Sequence, residues 1–146
     1  MVKIFAKSKD DVSKAAFDFF SFGHLIGGYF AFIVIDALFF VIFGKFLILL
    51  SIFTIFLCGT FWEIIENTIL YKKNIKFGYR RDSLLNSSTD VVIFTSGGLI
   101  SAFCFELNPN SFLIITAFFY IINVLLISIY ANSIIGLFRN IIKKNK

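Results

Sequence analysis

The chain is short of most of what a soluble enzyme uses. It has one histidine, one tryptophan, one proline and two cysteines in 146 residues, and charged residues make up only 16%. A single histidine excludes the multi-histidine arrangements of iron desaturases and of phosphatases. There is no Gly-rich phosphate loop and no Gly-x-Ser-x-Gly elbow, which removes two common routes to phosphoryl and acyl chemistry. Cys58 and Cys104 fall at different depths of separate apolar runs, so no disulfide is expected between them. No Ser/Gly linker, low-complexity tract or internal repeat divides the chain.

Apolar residues fill the space instead. They make up 58% of the chain, with 22 phenylalanines, a composition foreign to soluble domains. Four runs, at about 19–43, 46–70, 83–105 and 111–138, are long enough to cross a bilayer. About 20 residues at 1.5 Å rise span a hydrocarbon core of ~30 Å. The expected fold is therefore an all-α membrane protein, four transmembrane helices in one antiparallel bundle. A Gly44–Lys45 turn, a basic loop over 71–82 and a turn over Glu106–Asn110 connect the spans; a basic segment, 1–18, precedes them and a basic tail, 139–146, follows. The first run is too long for a secretory signal and lacks a small-residue cleavage site after it.

The net charge is +5, but its placement argues against nucleic acid as a partner. Thirteen of the fourteen Lys and Arg residues lie in the three segments that four spans put on one side; only Lys45 lies on the other. The positive-inside rule then places both termini in the cytoplasm. Membrane lipids are the expected partners, with the basic segments near anionic head groups. Partner membrane proteins are a further candidate.

Against this apolar background a few polar residues stand out. His24 lies about 7 Å below the cytoplasmic surface by helix rise. Glu66 falls at a similar depth and Glu63 a turn deeper. Glu63, Glu66 and Asn67 share one helical face. Asp82, Asn86 and Asp90 recur every fourth residue and form one stripe, flanked by Ser83 and Ser87. Trp62 can wall the resulting pocket, and Asn132 falls at a similar depth on the fourth span. Gly23 and Gly27, around His24, are expected to admit a neighbouring helix, and Gly97, Gly98 and Ser101 to do the same on the third span. Asp36, in the outer half, is expected to reach towards Lys45.

Ionisable groups inside a membrane are costly and normally mark a site or find partners in the bundle. Several chemistries fit this set. His24, Glu63, Glu66 and Asp90 suit a hard or borderline divalent cation such as Mg²⁺, Mn²⁺ or Zn²⁺. The same four residues suit acid–base catalysis. Trp62, Asn67, Asp82 and Asn86 would contact a substrate, and Arg80 and Arg81 could hold a phosphate at the pocket mouth. An ion path is disfavoured by the sparsely polar outer half. A serine nucleophile at Ser83, Ser87 or Ser88 is disfavoured because helical serines usually bond their own backbone. The structural alternative remains open: the acids would pair with His24, Arg80 and Arg81 and specify helix packing.

Three blocks also carry a resemblance. They are Ser21-Phe22-Gly23-His24-Leu25-Ile26-Gly27-Gly28-Tyr29, Gly59-Thr60-Phe61-Trp62-Glu63-Ile64-Ile65-Glu66-Asn67, and Asp82 to Asp90 followed by Gly97 and Gly98. Together they resemble the bacterial membrane proteins of domain of unknown function 2585, and are more distantly similar to the VanZ-like group. The family's Asp-Asn pair on the last span is Ala131-Asn132 here, and its second histidine near Gly27–Gly28 is absent. The resemblance implies a bacterial inner-membrane protein with a shared polar site, and supplies no reaction. Two functions follow as expectations. One is a pocket that binds or processes a lipid head group or envelope precursor, with a divalent cation as the candidate cofactor. The other is a non-enzymatic structural or assembly subunit whose polar cluster fixes helix packing.

Overall fold

Four helices follow one another along the chain: α1 (Phe20–Phe43), α2 (Ile48–Ile65), α3 (Leu84–Leu107) and α4 (Pro109–Lys144). The computed structural model describes all residues except 1–2, 9, 74–75, 77–79 and 145–146; of residues 109, 111 and 129–144 it describes the backbone alone. Among the described residues, α1, α2 with the turn that extends it to Leu70, and α3 are each long and apolar enough to cross a membrane. The described side chains of α4 include a shorter apolar stretch, Phe112–Ser128. The remainder of the expected fourth span, Asn132 included, lies outside the described side chains.

The distribution of side chains is inverted relative to a water-soluble bundle. Leu49 is 87% exposed and Val41 80%, whereas Asp36, Ser51, Glu63, Asn86, Asp90 and Ser101 are each 5% exposed or less. Helices that are apolar all round and polar within belong in lipid, where backbone and side-chain polar groups must be satisfied internally. The chain is an all-α membrane protein.

α1 and α3 form the closest pair, and glycines set their separation. A Cβ on Gly28 would lie 1.7 Å from the Phe94 carbonyl oxygen, and one on Gly97 would lie 2.0 Å from that of Leu25. The helices touch backbone to backbone there. The Gly23–Gly27 pair singled out above is not the seam. A Cβ on Gly27 would meet only the Phe94 ring, at 3.2 Å, and one on Gly23 would meet nothing within 4 Å. Spacing alone identifies a small-residue face, but the crossing of the two helices decides which glycine the neighbour touches. α2 packs on the same floor, with Ile55 against Gly98 and in one apolar core with Phe32 and Ala102. α4 is tied to α1 by Tyr29 and Thr116, whose hydroxyls lie 2.8 Å apart. Thr116 donates its proton to the Phe112 carbonyl, so Tyr29 is the donor between them.

Asp36 does not reach towards Lys45. It is buried and accepts from the Leu47 N–H (3.1 Å) and the Ser51 hydroxyl (2.7 Å). An α1 carboxylate thereby caps the N-terminus of α2, where free N–H groups favour an anion. Replacing Asp36 with Ala is expected to cost about 2 kcal/mol through the donors it orphans. Lys45→Ala should cost less than about 0.5 kcal/mol. Thermal denaturation of the two variants in detergent reads the contrast.

The connections are tighter than the sequence indicates. Only Asn108 separates α3 from α4, in place of a turn over Glu106–Asn110. Its side-chain carbonyl accepts from the Asn110 N–H at 2.8 Å, and Pro109 takes the first helical position, where no donor is required. α2 is not one continuous helix to Leu70. Residues Glu66–Leu70 form a π-helical turn. The segment before α1 is more than a basic flank. Phe17 donates its N–H to Ile4 (2.8 Å) and Ala6 to Phe17 (2.9 Å), forming a small loop that docks on the start of α3. Ser83 donates its N–H to the Ser13 carbonyl at 2.7 Å.

Candidate functional site

The polar residues converge at the end of the bundle that carries the N-terminal segment and the loop after α2. α1 contributes His24 from its second turn, α2 contributes Glu63 from its last, and α3 contributes Asp90 from its second. Close α1–α3 packing brings His24 and Asp90 together, and α2 lays Glu63 beside them. His24 Nε2 is 3.7 Å from Glu63 Oε1 and 3.8 Å from Asp90 Oδ2. One donor atom from each residue lies within 4.8 Å of the others, the one such group of metal-ligating type among the described residues. These separations are too long for hydrogen bonds. The two distances from His24 Nε2 fall within the about 4.2 Å that two ligands of one cation, each about 2.1 Å from it, can span.

Each carboxylate is aimed by a partner. Asp90 accepts from the Ser21 hydroxyl at 2.7 Å, and Ser21 in turn accepts from the Asp18 N–H at 3.2 Å. Glu63 accepts from the Asn67 amide through Oε2 at 3.2 Å. Its other oxygen, Oε1, is buried with no hydrogen-bond partner. A carboxylate oxygen left so is expensive unless something fills the gap.

Glu66 does not join this group. It turns to Lys76, whose Nζ is 3.6 Å from Glu66 Oε1. Lys76 is 3% exposed, also pairs with Asp82, and donates to the Asn67 side-chain oxygen at 2.9 Å. That oxygen also accepts from the Asp82 N–H (2.8 Å), while the Asn67 amide reaches Ser87 Oγ (3.1 Å). Asn67 is thus the hub that ties the π-helical turn, the following loop and α3 into one network. π-helical turns often mark functional sites, and this one carries Glu66 and Asn67.

Asn86 is used by the fold. It is fully buried and donates to the Ala15 carbonyl at 3.0 Å, holding the N-terminal segment on α3. Replacing Asn86 with Ala should release that segment while leaving α1–α3 intact. Faster limited proteolysis before residue 18, with an unchanged helical signal, is the expected result. The two arginines lie away from the cluster. Arg80 pairs with Asp10 at 3.0 Å, where its charge and hydrogen bond hold the Asp10 carboxyl below the usual range; Arg81 is exposed. Among the described residues, the lysine that lines the cavity is Lys76.

A cavity of about 480 Å³ runs along the cluster. Ser13, Asp18, Phe20, Lys76, Asp82 and Asn86 line its loop end, Gly23 stands one residue before His24, and Cys58, Trp62 and Phe94 line its deeper, apolar part. His24, Glu66 and Asp90 lie between. Carboxylates outnumber basic groups around it, a balance that favours a cation.

Residues 1–139 match the model of the family described as Protein of unknown function (DUF2585). The chain belongs to this family. The match takes in the N-terminal segment and every residue of the cluster just described. No curated protein and no solved structure gives a match.

In this DUF2585 protein, sequence reasoning missed Lys76, Asp18, Ser21 and Ser13. Lys76 is one of five basic residues in its loop, and nothing local distinguishes the one that turns inward. Ser21 did carry a signal, lying three residues before His24 on the same helical face.

Proposed function

We propose that the protein holds a divalent cation on His24, Glu63 and Asp90 and uses it to bind a phosphate-bearing head group in the adjoining cavity. The observation that carries this reading is the buried, unpartnered Glu63 Oε1, which faces His24 Nε2 at 3.7 Å with Asp90 beyond. Three protein ligands leave coordination positions open towards the cavity, and hard cations fill such positions with phosphate oxygens. Lys76 and Asp82 meet the polar end of the ligand, and Glu66 holds Lys76 in place. The charge distribution supports a plasma-membrane protein with both termini in the cytoplasm, so the cavity faces the cytoplasmic leaflet.

Elemental analysis of protein purified without tag metals tests it. One divalent ion per chain is expected, lost in His24→Ala and in Asp90→Asn but retained in Arg81→Ala. Absence of binding after adding Mg²⁺, Mn²⁺ or Zn²⁺ in turn would overturn the reading.

A second reading is favoured by the Asn67 and Asn86 hydrogen bonds, which join separate segments. In it the cluster is a structural device of a non-enzymatic membrane subunit, and Asp90→Asn lowers thermal stability with no ion to lose.

A further inference from the structure

The cavity has an open flank, and that flank is apolar. The cavity lies between the start of α1 and the end of α2, and the Phe94 ring of α3, set between Gly27 and Gly59, is its floor. On one lip, Gly23 is exposed, and an added Cβ there would meet no atom within 4 Å. On the other lip, Cys58 is exposed and Trp62 is 49% exposed. All three line the cavity, and all three lie in helices that cross the membrane by length and composition. Cys58 precedes the end of the π-helical turn at Leu70 by about 18 Å of helix. That depth is the acyl-chain region of a leaflet, not its surface. The cavity is thus graded as a lipid is graded: charged at the loop end, apolar below, and open sideways below.

From this gradient we infer that the ligand is a phosphate-headed lipid that enters sideways from the bilayer through the α1–α2 cleft, its chain lying along Cys58 and Trp62 and its head-group end passing Gly23. The inference rests on the cation reading for its choice of head group. It adds the route and the requirement for a chain. A water-soluble phosphate would arrive past Lys76 and Asp82 and would have no use for the apolar flank. A chain-bearing ligand gains by covering apolar surface that already faces lipid while its head group reaches the His24 cluster.

Trp62, the one tryptophan of the chain, reports on this cleft directly. The full-length protein is reconstituted in dioleoylphosphatidylcholine with Mg²⁺, and Trp62 fluorescence is followed as brominated lipids are added. Brominated phosphatidate is expected to quench at about tenfold lower mole fraction than brominated phosphatidylcholine, a preference of about 1.4 kcal/mol. Unbrominated phosphatidate should reverse the excess, and glycerol phosphate should not. Gly23→Phe should remove the excess while leaving ordinary quenching by phosphatidylcholine, since a Cβ there meets no atom within 4 Å and the ring beyond it stands in the mouth of the cleft. Equal quenching by the two brominated lipids, or reversal by glycerol phosphate, would overturn the inference even if Gly23→Phe failed to fold. The two readings fail separately. Excess quenching that survives chelation and Asp90→Asn would retain the sideways route and remove the cation. A stoichiometric ion with equal quenching would do the reverse.

Discussion

Replacing Gly28 or Gly97 with alanine is expected to disrupt the protein more than any other single methyl added to it. The added Cβ would sit 1.7 Å from the Phe94 carbonyl in the first case and 2.0 Å from that of Leu25 in the second. Both obstacles are backbone atoms of a packed helix, which cannot turn aside as a flexible side chain can. Overpacking a core costs about 1–3 kcal/mol when side chains absorb it, and the upper end or beyond is expected where they cannot. The damage should also reach the site, because the α1–α3 crossing sets the His24–Asp90 separation. Each variant is expected to show a large fall in Tm in detergent and loss of the bound ion. Gly23→Ala, four residues from Gly27 on the same helix, should be silent in both measurements. A fall in Tm as large in Gly23→Ala as in Gly28→Ala would sink this account, since alanine is the better helix former and propensity alone would raise Tm in both.

The second large effect is expected at Lys76. Its ammonium is buried against Asp82, Glu66 and Asn67, and its backbone N–H donates to the Leu70 carbonyl at 3.3 Å, tying the loop back to the end of the π-helical turn. Lys76→Met would keep most of the side-chain bulk and leave two carboxylates without their cation. Removing one partner of a buried ion pair costs about 3–5 kcal/mol, mostly from the charge left behind. That origin can be tested, because Asp82→Asn added to Lys76→Met should restore part of the lost stability. A double-mutant cycle on Tm isolates the coupling. Additive losses would mean that Lys76 acts through packing alone. Arg81→Met, on the same loop but exposed, is the control and should leave Tm unchanged.

The membrane character was legible in the sequence because it depends on length and composition, which need no partner. The helical faces were legible for the same reason: Glu63 with Asn67, and Asp82 with Asn86 and Asp90, lie four residues apart whatever surrounds them. What these faces do was a matter of contacts between segments far apart in the chain. Asn86 and Asp90 lie on one stripe, yet Asn86 holds Ala15 while Asp90 faces His24. Glu63 and Glu66 are close in sequence, yet a π-helical turn begins between them and gives Glu66 to Lys76.

The glycines show the same division. The sequence by itself determined that α1 and α3 each carry a small-residue face, since periodicity is a property of one helix. The crossing of the helices decided that Gly28 and Gly97 form the seam and that Gly23 opens on the cavity. The sequence likewise determined that the polar residues gather at one end of the bundle, because helix rise converts residue number into depth. Only the tertiary structure decided which three face one another, because azimuth around the bundle is set by packing between helices, and rise along an axis carries no information about it.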